Sequence, residues 1–186
     1  MNKKYSGTWF RDCVQIIILF ILLYILCSFT MTNSNKIDNI ITWRKLSYKD
    51  FTIIQDLGGI KVAESNTGIS YELIKDGKSI ATAIFEKDKS YISAKLVPSK
   101  IDYIISHEQI HFDITELITR RLNLKFKDIK DIQVADKLFN QSLNELETMQ
   151  VLYDYETNHS ENHETQNKWI LQIKELLKKS NKQNSN

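Results

Sequence analysis

Two histidines four residues apart, His107 and His111, with Glu108 directly after the first, form the constellation in this chain that most plainly carries chemistry. On a helix the pair is separated by one turn, so both imidazoles project to one side and can share a zinc ion. Glu108 then lies close enough to act as general base toward a water held at that ion. A catalytic site of this kind needs a third protein ligand and an open position for water. Asp113 and Glu116 belong to the same stretch, but at about 100° per residue they face away from the pair. Glu145 and Glu147 remain as candidates, together with residues 153–163, which offer Asp154, Glu156, His159 and His163. Spacing does not choose among them.

The histidines share their helical stripe with Ile104, Ile110, Ile114, Ile118 and Leu122. Two imidazoles facing a core without partners would each cost about 1 to 3 kcal/mol. A metal removes that conflict; hydrogen bonds to carbonyls or acids are the structural alternative. The elements that must hold the pair follow from the patterning on either side. From Ile40 to about Leu96 the chain is β-branched and aromatic-rich, with turn punctuation at Gly58-Gly59, Thr67-Gly68 and Asp76-Gly77. This predicts a small antiparallel sheet, including a hairpin of residues 69–74 and 79–85 and a third strand near 90–96. Beyond Pro98 there is no further Gly or Pro, and the period becomes helical. Three helices are predicted over about 99–123, 131–155 and 161–179, followed by a disordered tail at 180–186. Strands first and helices second make an α+β domain over residues 40–179.

Residues 13–31 form an apolar run behind Lys3, Lys4 and Arg11. Its basic flank precedes it, which predicts a cytoplasmic N-terminus and a body across the membrane. Residues 1–32 are thus read as a signal peptide or signal anchor, and 33–39 as a linker. The body would be periplasmic, anchored to the inner membrane on its periplasmic side, or secreted. Cys13 and Cys27, the two cysteines of the 186-residue chain, both lie in the apolar run, so the exported body contains no disulfide. With 42% hydrophobic and 26% charged residues the chain is a folding one. The formal charge of +2 arises in the N-terminal segment; acids and bases balance in the rest, which gives no footprint for nucleic acid.

The string at residues 107–122, with Trp43, Asp50-Phe51, Phe85, Ser90-Tyr91 and the segment Glu147 to Gln150, resembles a bacterial exported family. That family is catalogued as domain of unknown function 922 and regarded as secreted zinc-dependent proteases. The matches run from His107 to Glu116, then Tyr153, Asp154, Thr157 and His159, then Gln166 and Trp169. Where the family has glycine after that last histidine, this chain has Ser160. The resemblance implies a minimal zincin-like fold and moves His159 ahead as third ligand beside His107 and His111. The function expected is an exported zinc metallopeptidase acting on a protein or peptide, with Glu108 as general base and Tyr153 or Tyr155 as donor to the oxyanion. The alternative is a non-catalytic zincin-fold protein that binds or scaffolds in the cell envelope.

Overall fold

Gly77 has φ +70°, which glycine adopts without steric cost, and it closes the hairpin that the sequence predicts. The computed structural model describes residues 39–55, 62–74 and 77–184. Strand β4, Thr67–Leu73, and strand β5, Ser79–Glu86, pair antiparallel from Thr67 opposite Phe85 to Leu73 opposite Ser79. Strand β1, Ile40–Thr42, lies antiparallel on the other side of β5. A second sheet has β2, Thr52–Ile54, and β3, Ala63–Glu64, on either side of β6, Tyr91–Ser93. Here β6 runs parallel to β2 and antiparallel to β3.

The single antiparallel sheet expected from the sequence is therefore two three-stranded sheets, one of them mixed. The cause lies at Ser90, whose hydroxyl donates to the Glu86 carbonyl at 2.7 Å and accepts from the Asn66 amide at 2.9 Å. With the short helical turn Lys87–Lys89, these bonds deflect the chain out of β5 before it resumes as β6.

Three helices follow, as the sequence predicts: α1, Pro98–Phe126; α2, Ile132–Thr157; and α3, His163–Asn184. Proline at the first position of α1 lacks only an amide that would be orphaned there anyway. Asp131 caps α2 by accepting from the amides of Gln133 and Val134. Helix α3 continues through the stretch expected to be a disordered tail as far as Asn184. Ser180 is buried there and accepts from Arg120.

Helix α1 packs against β5, α2 and α3 at once. Ile110, Ile114, Ile118 and Leu122 meet Tyr153, Trp169 and Ile173 of the other helices. Ile104 and Phe112 meet Phe85 and Ile92 of the sheets and Phe51, which stands just before β2. Fully burying each such side chain contributes about 1.5 to 3 kcal/mol, so the element that carries the histidine pair is also the most firmly held. Residues 1–38, with the apolar run and most of the linker, lie outside the described residues. Among the described residues no helix is long and apolar enough to cross a membrane.

Candidate metal centre

His107, Glu108 and His111 are all buried on α1, at 5%, 4% and 8% exposure. Across from them α2 brings in Asp154, whose Oδ1 lies 3.1 Å from His107 Nε2 and 2.9 Å from His111 Nε2. The three ligand atoms all fall within 4.8 Å of one another, a group that could hold a metal ion. Tyr153 lies against the pair, stacked on His107 at 4.6 Å between ring centroids and edge-on to His111 at 5.1 Å. Burial would push the Asp154 carboxyl up, but the His107 and His111 rings, where they carry a proton toward it, outweigh burial through hydrogen bonding and charge and hold the group below the usual carboxylate range.

The hydrogen-bond network decides what the His107 ring presents. Gln166 is fully buried, and its Oε1 lies 3.1 Å from His107 Nδ1. Its amide orientation is fixed by Ser106: that hydroxyl donates to the Tyr103 carbonyl and so accepts from Gln166 Nε2. An amide oxygen only accepts, so the proton sits on His107 Nδ1. In the neutral ring Nε2 is then a bare lone pair aimed at a carboxylate oxygen. Two acceptors at 3.1 Å need either a second proton or a cation between them. Ligands around a tetrahedral zinc, at about 2.0 to 2.2 Å from it, stand roughly 3.3 to 3.5 Å apart. The two imidazole–carboxylate spacings, 3.1 and 2.9 Å, fall short of that by roughly 0.2 to 0.6 Å and all three donors lie within 4.8 Å of one another, so a small outward shift of the carboxylate lets the set close on a metal.

The other predicted site residues are scattered. His159 is exposed at the end of α2, with Nδ1 3.6 Å from Asp154 Oδ2, and it contacts the carboxylate, not the imidazole pair. Glu147 is exposed on the wall of the cavity that the centre opens into. His163 stacks flat on Tyr103 at 4.1 Å. Glu156 accepts from the Trp169 indole, and Glu145 pairs with Arg121. Asp113 accepts from Trp43 and Gln109, and Glu116 pairs with Arg120; burial pushes both carboxyls up. Tyr155 is 80% exposed, while Tyr153 is fully buried and directs its hydroxyl at the His107 carbonyl.

The cavity measures about 970 Å³, and Glu108 lines it with no hydrogen-bond or ion-pair partner among the described residues. Sequence reasoning missed Tyr103, which stands one turn before His107 and donates to the Ser160 carbonyl at 2.7 Å. The periodicity of α1 was the signal for it. Asn158, His159 and Ser160 all have positive φ, at 47°, 49° and 77°. Ser160 is the furthest from what an L side chain prefers. No family model, curated protein or solved structure matches this chain.

Proposed function

We propose that this chain is an exported zinc metallopeptidase with zinc held by His107, His111 and Asp154 and with Glu108 as general base. One observation carries the reading: a buried carboxylate without a partner, Glu108, lines the cavity next to three converging lone-pair donors. A purely structural metal site has no use for that carboxylate, which a hydrolase requires. Zinc, when bound, supplies a Lewis acid that polarises a carbonyl and lowers the pKa of a water. Glu108 takes a proton from the attacking water and returns it to the leaving amine. Gln166 keeps His107 in the tautomer whose Nε2 faces the centre. Tyr153, packed against both rings, fixes their planes.

The resemblance to the exported protease family agrees with this reading, since its matched positions gather here. Tyr153, Asp154 and Gln166 contact the histidine pair, Trp169 packs on Tyr153, and His159 stands beside Asp154. A zincin-like fold and export by the apolar run at residues 13–31 belong to the same proposal. A reporter fused after residue 40 should be active only outside the cytoplasm.

The test is zinc content and turnover of the full chain and of Glu108→Gln. We expect about one zinc per chain in both proteins. Hydrolysis of a broad peptide library should fall by about 10²-fold or more in the variant, the loss expected on removing a general base. A wild type that holds zinc and cleaves nothing would refute the peptidase and leave an envelope binding or scaffold role.

A further inference from the structure

The cavity beside the proposed centre is charged unevenly. Among the described residues its walls carry Glu64, Glu108, Glu147, Asp154 and Glu161 against one lysine, Lys100. Asp154 is committed to the histidines, and Glu161 accepts from the Asn158 amide at 2.7 Å. Glu64 accepts from the Tyr91 hydroxyl at 2.9 Å. Glu147 is exposed and has no hydrogen-bond or ion-pair partner among the described residues. Lys100 stands two turns before His107 on α1, close to Tyr103 and the His163 ring stacked on it. The acids Glu64 and Glu147 lie elsewhere, at the seam where α2 meets the β3–β4 junction. That seam is fixed by Gln150 Nε2 donating to Thr67 Oγ1 at 2.9 Å. Glu147 is one turn before Gln150, and Glu64 is three residues before Thr67.

A row of acids alone would carry nothing. The same cavity, however, is lined by Glu108, 96% buried and unpartnered, an independent sign that it receives a ligand and is not merely a solvated surface. The spacing sets what that ligand presents. Glu147 precedes Asp154 by seven residues, two turns or about 10.5 Å along α2. An extended peptide advances roughly 3.3 Å per residue, so a residue two positions from the scissile bond has travelled about 6.6 Å. A lysine or arginine stem of roughly 6 Å closes the remainder.

We infer that the Glu147 and Glu64 end of this cavity is a subsite for a lysine or arginine side chain within two residues of the bond cleaved, making the substrates basic peptides. This rests on the peptidase reading, and its test is therefore a binding measurement that does not depend on turnover. Zinc-loaded full-length Glu108→Gln protein would be titrated with two fluorescent peptides of one sequence, with lysines or glutamines at two positions either side of the central bond. The lysine peptide should bind about tenfold more tightly. That ratio should fall toward one with Glu147→Gln added, and with Glu147→Lys it should invert, the glutamine peptide then binding more tightly than the lysine peptide. Because Glu147 is exposed and unpartnered, neither change threatens the fold. Equal affinities, or a preference that survives Glu147→Gln, would overturn the inference. Absence of cleavage by the wild type, measured separately, counts against the peptidase alone.

Discussion

Replacing Asp154 with alanine is the sharpest perturbation of the centre, because its Oδ1 approaches both histidines. Loss of a group that merely orients a ligand weakens metal binding by about 10 to 100-fold. Loss of one of the three proposed ligands should therefore exceed the upper figure, or roughly 2.8 kcal/mol at about 1.4 kcal/mol per tenfold. With free zinc at about 1,000 times the wild-type Kd, binding stabilises the fold by about 4.1 kcal/mol. At the same concentration a site 100-fold weaker gains only about 1.4 kcal/mol. A domain of this size shifts by roughly 3 °C per kcal/mol. The zinc-induced rise in Tm should thus drop from about 12 °C in the wild type to about 4 °C in Asp154→Ala. The assay compares each protein with and without zinc, so any change in the metal-free fold cancels. His159→Ala should retain most of the wild-type shift, since its ring reaches only the far oxygen of Asp154. An undiminished shift in Asp154→Ala together with its loss in His159→Ala would refute the assignment and return the third position to the histidine.

Gln166→Leu removes the acceptor that holds the His107 tautomer and should weaken zinc by about 10 to 100-fold in a chelator competition; an unchanged Kd would show that Gln166 plays no such part. Ser160→Gly should raise Tm by about 2 °C, since a non-glycine left-handed residue costs roughly 1 to 2 kcal/mol and the flexible unfolded glycine takes back about half; a fall in Tm would contradict the strain argument. At Asp50 burial opposes ionisation, but hydrogen bonds from Arg44 and Ser47 outweigh it and hold the carboxyl below its ordinary value. Its contribution is complete above the unfolded value near 3.9 and is lost as pH falls through the lower folded value. Arg44 is half exposed, so only about 1 kcal/mol is at stake, and Asp50→Asn should remove that part of the acid limb of a pH-stability curve. An acid limb identical to that of the wild type would count against it.

What the sequence made legible follows from range. His107, Glu108 and His111 are related by one helical turn, a local property that a period of 3.6 reveals. Their placement on a buried stripe was readable for the same reason, as was the hairpin from Asp76-Gly77. Asp154 was readable only as one candidate among several, because its position opposite the histidines depends on how α2 crosses α1. That crossing is set by contacts such as Leu146 and Tyr153 on the isoleucines of α1, far apart in sequence. The second sheet was illegible for a related reason: one serine side chain, Ser90, diverts β6, and strand propensity does not encode the partner of a three-residue strand. His159 was brought forward by resemblance, and the structure sets it next to the carboxylate instead of in the cluster.

The left-handed run Asn158–Ser160 explains why residues so close in sequence have such different placements. Helix α2 must end with Asp154 facing α1, and α3 must start so that Gln166 reaches the other nitrogen of His107, only twelve residues later. A right-handed continuation would carry the chain away along the axis of α2. Three successive residues at positive φ reverse it within one turn, at a cost that ordinary loops avoid. Hydrogen bonds offset the strain: the His159 amide donates to the Asp154 carbonyl at 2.9 Å, and that of Asn162 to Thr157 at 2.7 Å. Tyr103 binds the Ser160 carbonyl and at the same time touches Gln166. The turn is thereby tied to α1 through the same network that orients His107. Loosening it would displace the Gln166 acceptor and the Asp154 carboxylate together, so backbone strain in this turn and ligand geometry at the centre are one mechanical problem.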